Sequence, residues 1–168
     1  MKLIPLTKGQ FAKVDDHRYE DLMGWKWFAL WNKKTQSFYA SRNINVNPDV
    51  KPWKNRQIRM HRYLLGLEHG DLRQGEHRDG DTLNNQDRNL RIATNSQNAM
   101  NRKPLMANST TGHKGVSFRK DKLSRPWAAF VKVDGKQIHL GFRATRAEAI
   151  ELRREGEKRY YGEFARAG

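Results

Sequence analysis

The sequence contains no cysteine, which excludes disulfide bonds and zinc sites with thiolate ligands. It also has no apolar run near the roughly 18 residues of a membrane-spanning helix, and residues 1–5 hold no signal-peptide segment. Acidic residues are few, since 18 Asp and Glu stand against 33 Lys and Arg, giving a formal net charge of +15. These features predict a cytoplasmic protein that binds a polyanion, and they favour nucleic acid over an anionic membrane.

Apolar residues are also scarce, at 36% of 168 residues, which favours several small cores over one large core. Charge is spread unevenly, because residues 58–103 carry 8 basic and 6 acidic residues whereas both flanking segments are strongly basic. This division predicts a central catalytic unit between two binding arms. The expected boundaries are 1–57 for a β-rich DNA-contacting segment, 58–103 for the central unit, 104–111 for a linker and 112–168 for a second binding domain.

The N-terminal segment contains two aromatic-rich runs, residues 25–31 and 37–41, which predict strands joined by a polar connection. Residues 15–23 are expected to form a short helix capped by Asp15 or Asp16. Four of the five tryptophans lie in this segment. They either build a small core, or one or two of them stack on bases or sugars.

The central segment places a carboxylate beside an imidazole at Glu76 and His77, before a polar turn at residues 79–80. A return strand is expected at residues 89–93, followed by a helix that begins at residues 94–95 and contains Asn98 and Asn101. One hairpin-helix unit of this kind can hold a hard divalent metal and a general base. His61, further upstream, is interpreted as structural rather than catalytic.

The residues of this segment, with their spacing, resemble the HNH endonucleases of phages and group I introns. The similarity covers about residues 57–103 and is carried by residues 76–81, 89–91, 93–94 and 98–101. It implies that His77 is the general base, that Asn89 orients it, and that Glu76 and Asn98 bind Mg²⁺, for which Mn²⁺ can substitute. The implied reaction leaves 5′-phosphate and 3′-hydroxyl ends. Close relatives usually carry Asp at the position of Glu76.

The C-terminal segment predicts three strands, at residues 115–119, 127–133 and 136–141, with a hairpin turn at Asp134-Gly135. Thr145 and Glu148 have the spacing of a capping box, so a helix is expected from there to about Tyr161. Alternation divides the sheet into two faces. The face toward the helix is expected to hold Val116, Phe118, Trp127, Ala129, Val131, Ile138 and Leu140, and the outward face Ser117, Arg119, Ala128, Phe130, Lys132, Gln137 and His139.

Residues 112–165 resemble the APETALA2-type DNA-binding domain of plant ethylene-response factors, through residues 115–116, 127–129, 140–141, 145 and 148–149. The resemblance implies that basic side chains of the sheet contact DNA. Ser117, Phe130, Gln137 and His139 depart from the plant pattern, so the plant target sequence does not carry over. The expected DNA-contacting residues are Asn101, Ser117, Arg119, Lys120, Arg125, Phe130, Lys132, Gln137 and His139.

The sequence therefore predicts an α+β protein with an N-terminal β-rich segment, a central ββα-metal motif and a C-terminal three-stranded antiparallel sheet plus helix. The expected function is site-specific nicking of double-stranded DNA by a monomeric, phage- or mobile-element-encoded homing endonuclease in a bacterial host. Two alternatives stay open at this point. One is a DNA-binding protein whose catalytic site has decayed, and the other is a non-specific HNH nuclease.

Overall fold

The computed structural model describes residues 1–46, 51, 55–101 and 111–165. The chain folds as two compact units, Met1–Thr94 and Asn95–Gly168. The class is α+β, as expected, with small antiparallel sheets and, among the described residues, four α-helices. Within the same residues, no helix is long and apolar enough to cross a membrane.

The first unit contains three antiparallel sheets, in the strand orders β1-β2, β3-β4-β5 and β6-β7. Two short helices connect them, one after β2 and one after β5. The elements are β1 (Lys2–Pro5), β2 (Phe11–Val14), α1 (Asp16–Met23), β3 (Phe28–Asn32), β4 (Ser37–Asn45), β5 (Asn55–Arg59), α2 (Met60–Leu64), β6 (Gln74–His77) and β7 (Leu90–Ala93).

One hydrophobic core joins the N-terminal strands to the beginning of the predicted central segment. Its buried members come from β1, β2, α1, β4 and α2, together with one tryptophan before β3, and they are Ile4, Ala12, Val14, Leu22, Trp27, Ala40 and Met60. The predicted boundary between residues 57 and 58 falls inside β5, which pairs with β4. Residues 1–57 therefore share their core with the residues that follow them.

The tryptophans of the first unit divide between core and surface. Trp27 is 6% exposed, and its indole nitrogen donates to the carbonyl of Leu22 at 2.8 Å. Trp25 and Trp31 are 49% and 44% exposed, and Trp53 lies outside the described residues. The strand predicted from residue 25 begins only at Phe28, because residues 24–27 turn the chain from the end of α1 into the sheet. Only Trp27, of these three, is a core residue.

The second unit is a three-stranded antiparallel sheet, in the order β10-β9-β8, with a long helix against it. This part of the fold prediction is confirmed, and the predicted linker lies, except for residue 111, outside the described residues. The elements are α3 (Asn95–Asn101), β8 (Val116–Phe118), β9 (Trp127–Val133), β10 (Lys136–Arg143) and α4 (Arg146–Tyr161).

Local sequence signals in the second unit form the structures they predict. Asp134 and Gly135 both have positive φ, 47° and 81°, as a two-residue hairpin with the right-handed twist of its strands requires. Thr145 and Glu148 make both hydrogen bonds of the capping box. Gly156 lets α4 approach the sheet, because a Cβ atom there would lie 2.4 Å from Leu140 Cδ1.

The two sheet faces differ from the prediction at two positions, and a register shift adds a third residue that was not predicted. Phe118, expected under the helix, is 50% exposed at the end of edge strand β8. Ala128, expected to face outward, is 4% exposed, since its short side chain lies in register between Ser117 and Phe142. A register shift between residues 139 and 141 inserts Leu140 as an extra residue, so Phe142 joins the face of His139, and their rings are 4.6 Å apart.

Candidate active site

Strand β6 ends on the two residues that carry the predicted chemistry, Glu76 and His77, both 5% exposed. In register, Glu76 pairs with Arg91 and His77 pairs with Leu90 of β7. Successive side chains of a strand point to opposite faces, and the two groups accordingly have different neighbours.

Glu76 forms a buried ion pair that occupies only one of its oxygens. Arg91 Nε donates to Glu76 Oε2 at 2.7 Å, with the two side chains 6% and 4% exposed. Glu76 Oε1 is buried and accepts no hydrogen bond within the described structure. Buried carboxylate oxygens normally have a partner, such as a donor, a water molecule or an ion. A hard divalent cation fits this oxygen, because carboxylate oxygen is its preferred ligand.

The His77 imidazole is enclosed by other rings. It makes T-shaped contacts with His61, at 4.9 Å between ring centroids, and with Tyr39, at 6.3 Å. Burial lowers the pKa of His77 from its ordinary value, while a hydrogen bond with Asn85 and the nearby Asp79 carboxylate oppose that shift. The ring is therefore neutral near pH 7 and keeps one lone pair, as a general base requires.

Asn85 determines which nitrogen of His77 holds this lone pair. The Asn85 amide nitrogen donates to the carbonyl of Leu83 at 3.1 Å, so its oxygen is the atom that faces the imidazole. Nε2 of His77 lies 3.4 Å from that oxygen and must donate its proton to it. The lone pair of the neutral ring is then on Nδ1. Sequence reasoning missed Asn85, although two adjacent amides before Asn89 were a visible signal.

The N-terminal hairpin fixes the position of Asn85. Its backbone N–H donates to the carbonyl of Lys13 at 2.8 Å, and Lys13 N–H donates to the carbonyl of Leu83 at 2.9 Å. The Lys13 ammonium also pairs with Asp81 at 3.0 Å. Strand β2 is thus hydrogen-bonded to the loop between β6 and β7, 70 residues away along the chain.

The Asn89 side chain closes this loop. Its amide nitrogen donates to Asp79 Oδ1 at 3.0 Å and to the carbonyl of Asn84 at 2.7 Å. Its oxygen accepts from the backbone N–H of Asp79 at 3.1 Å. Asn89 is predicted to orient the His77 ring by a backbone or side-chain hydrogen bond. Its side chain serves the loop, and Asn85 makes a side-chain contact with the His77 ring. The Asn89 side chain therefore stabilises the loop, because its amide supplies both a donor and an acceptor to the loop backbone and to Asp79.

Asp15 links the start of α1 to the other end of the loop. It is the N-cap residue, as the sequence predicts, but its carboxylate makes no capping bond to the helix. It accepts instead from the Gln86 side chain at 3.0 Å and from the backbone N–H of Asp87 at 2.7 Å. The bond from Asp87 is the main reason why the pKa of Asp15 is lowered. His17 and Arg18 add contacts to the Asp87 carboxylate at 3.0 and 3.4 Å.

A cation stands beside the imidazoles. The Arg59 guanidinium lies 4.5 Å over the ring of Tyr39, the ring that also contacts His61 and His77. After burial, which is the largest cause, the charge of Arg59 is among the influences that lower the pKa of both histidines. Ser41, its partner across β4 and β5, has a fully buried hydroxyl without a hydrogen bond within the described residues.

The remaining predicted metal ligand belongs to the second unit. Asn98 is half-buried on α3. The other three predicted site residues, Glu76, His77 and Asn89, all belong to the first unit. Among the described residues, no group of three or more His, Asp or Glu side chains could hold a metal ion. The predicted ligands are one carboxylate and one amide, so they would not form a group of that kind. Mg²⁺ is commonly bound by few protein oxygens, with water and phosphate completing its shell.

Most of the predicted DNA-contacting residues lie on the surface of the second unit. The exposed ones are Arg119, Lys120, Arg125, Lys132, Gln137 and His139, and the half-buried ones are Ser117 and Phe130. Asn101 is only 7% exposed, because it lies on the inner side of α3 beside buried Met100, and it offers little surface to DNA. Phe142, which the shifted register adds to this face, was not predicted.

Comparisons of the chain with protein-family models, with curated proteins and with solved structures found no match. The functional argument therefore depends on the chemistry of these side chains. They offer one enclosed neutral imidazole, one buried carboxylate with an available oxygen, and one nearby guanidinium.

Proposed function

We propose that this protein is a metal-dependent endonuclease of the HNH type, which hydrolyses a phosphodiester bond of double-stranded DNA. The observation that carries the proposal is the pair at the end of β6. The lowered pKa of His77 favours the neutral ring, and its Nε2 faces the Asn85 oxygen. Glu76 beside it keeps one buried carboxylate oxygen without a hydrogen bond in the described part of the chain. General base and metal ligand are the two functions that hydrolysis of a phosphodiester requires.

In this mechanism His77 Nδ1 takes a proton from the attacking water. Asn85 holds the ring by its other nitrogen, and the rings of His61 and Tyr39 prevent it from rotating. Arg59 binds a non-bridging oxygen of the phosphate and offsets the charge that develops there. Glu76 Oε1 would hold Mg²⁺. When bound, the metal stabilises charge on the phosphate and on the leaving 3′ oxygen.

Two properties of the chain favour DNA as the substrate. The net charge of +15 attracts the phosphate backbone, whatever its sequence. The second unit presents a sheet with exposed Lys132, Gln137 and His139 on its outward face, and such a face can enter a major groove. We infer site-specific cleavage, and nicking of one strand, because one catalytic site on a monomer has no symmetric partner site.

The Glu76–Arg91 ion pair favours a second candidate, a DNA-binding protein that does not cleave. Arg91 neutralises the carboxylate and occupies one of its oxygens. Metal affinity would then be low, and Glu76 would serve stability only. Binding without metal-dependent cleavage distinguishes this candidate from the enzyme.

The test is nicking of supercoiled plasmid that carries the DNA flanking the protein's own gene. We expect nicked circles to accumulate before linear DNA, with Mg²⁺ or Mn²⁺ and not with EDTA. His77→Ala and Glu76→Gln should abolish nicking while DNA binding persists. Matched controls are His69→Ala and Glu68→Gln, since both residues are exposed on the connection between α2 and β6. Undiminished activity of the two site variants would place the catalytic site elsewhere, and random degradation would indicate a non-specific nuclease.

A further inference from the structure

The arginine at position 42 of β4 is buried among aromatic rings. Its guanidinium carbon lies 3.7 Å from the ring centroid of Trp25, 4.9 Å from that of Tyr63 and 5.3 Å from that of Trp27. The side chain is nine-tenths buried, since Arg42 is only 6% exposed. Alternation along β4 puts Arg42 on the face opposite to Tyr39, away from the candidate catalytic residues.

This guanidinium has no counter-ion within the described residues. Two of its nitrogens, Nε and Nη1, are buried without a hydrogen bond. The neighbouring carboxylate of Asp21 accepts instead from the Tyr63 hydroxyl, at 3.0 and 3.2 Å. Buried cations are normally paired, so the positive charge of an arginine held only by aromatic rings is not neutralised and acts through the rings around it.

Trp25 differs from the other two rings because one of its faces is open. Trp27 is held by its bond to the Leu22 carbonyl, and Tyr63 by Asp21. Trp25 is 49% exposed and has the guanidinium against one face. The cation holds the indole in place, so the opposite face is a rigid, flat, apolar surface in a strongly basic protein.

We propose that the open face of Trp25, backed by Arg42, binds one unpaired nucleobase of the DNA. The inference rests on the proposed function for the identity of the ligand, and it adds a contact distant from the catalytic residues. Aromatic side chains bind bases by stacking, which tolerates any sequence. The charge of Arg42 complements the phosphates on either side of the stacked base.

The base must be unpaired, because bases inside a duplex are stacked on both faces and offer none to a protein. Only an extrahelical, frayed or single-stranded nucleotide presents a free face. The protein is therefore expected to prefer locally opened DNA over continuous duplex. Such a preference would direct it to distorted sites or hold a strand end after a nick.

The experiment measures binding by fluorescence anisotropy in EDTA, which excludes cleavage. The probes are two labelled duplexes of one sequence, with either an extra adenosine or an extra abasic nucleotide at the centre. Both backbones carry the same bulge, so their ratio of dissociation constants isolates the base. For the wild-type protein we expect roughly 5- to 150-fold tighter binding of the adenosine duplex, the range for one stacked base.

Trp25→Ala should bring this ratio close to one. Trp31→Ala is the matched control, because Trp31 is also a surface tryptophan, 44% exposed. It packs edge-on against Phe38, and no cation of the described residues lies over its ring. The control should keep the wild-type ratio. Both variants alter exposed side chains, and circular dichroism checks that they fold.

A wild-type ratio of one overturns the nucleobase site, as does equal loss in both variants. If the protein still nicks plasmid in that case, the endonuclease proposal survives alone. A wild-type protein that binds neither duplex and nicks no plasmid overturns both proposals. Loss in Trp25→Ala alone supports the site.

Discussion

Removing Arg91 should strongly destabilise the first unit in the absence of metal. Arg91→Leu leaves the Glu76 carboxylate, 4% exposed, without its bond of 2.7 Å to a cation. Breaking a buried ion pair from one side costs about 3–5 kcal/mol, since a buried charge is left unpaired. The pair is almost fully buried, so solvent screening does not reduce this value. The loss is a large part of the roughly 5–15 kcal/mol that stabilises a typical domain.

The double variant Glu76→Gln/Arg91→Leu should recover much of this loss, because both charges are then absent. The free energies of unfolding are measured by urea titrations in EDTA. Tryptophan fluorescence monitors the titrations, and Trp25, Trp27 and Trp31 give the signal of the first unit. A double-mutant cycle then gives the coupling between the two residues. A cost for Arg91→Leu under about 1 kcal/mol, or strict additivity of the two changes, would refute a buried ion pair.

Three further outcomes follow from the site. Asn85→Ala should allow His77 to change tautomer, whereas Asn85→Asp should preserve the tautomer. Nitrogen NMR of the imidazole measures which nitrogen carries the proton. An unchanged spectrum in Asn85→Ala would exclude the positioning role of Asn85. Burial lowers the pKa of His61 and His77 below the ordinary value of 6.5, so the unfolded state binds more protons than the folded state. The free energy of unfolding should therefore fall as pH decreases from about 7.5 to 5.5. Urea titrations that show no such fall would contradict the burial of the two rings. Gly75→Ala should cost about 1–3 kcal/mol, because the new Cβ atom would lie 2.6 Å from His61 Cδ2; an unchanged melting temperature would show that His61 moves freely.

Signals confined to a few neighbouring residues were readable from the sequence. The turn at Asp134-Gly135 needs only two residues with positive φ, and the capping box of α4 needs only Thr145 and Glu148. The buried faces of β8 and β10 were less readable. An extra residue at Leu140 changes the register, and nothing in simple alternation reveals it.

The candidate site shows the same limit. Glu76 and His77 are adjacent, so the sequence alone could propose a base beside a metal ligand. The position of Asn85 depends on its backbone bond to Lys13, and the role of Asp15 on its bond from Asp87. Each bond spans 72 residues, so local patterns do not specify it. Asp15 could be expected to cap α1, because capping is a local bond, but in the fold a loop N–H competes for its carboxylate.

The bonds between Lys13 and the loop have a consequence for the order of folding. The loop that carries Asn85 is held at Leu83 and Asn85 by a strand that precedes it by some 70 residues. Closing so long a chain segment is slow compared with forming a local hairpin. The loop therefore becomes ordered late, when the whole unit folds, and a fragment of residues 58–103 would contain Glu76 and His77 without an oriented base. If the protein is the endonuclease proposed, its activity would require the complete first unit.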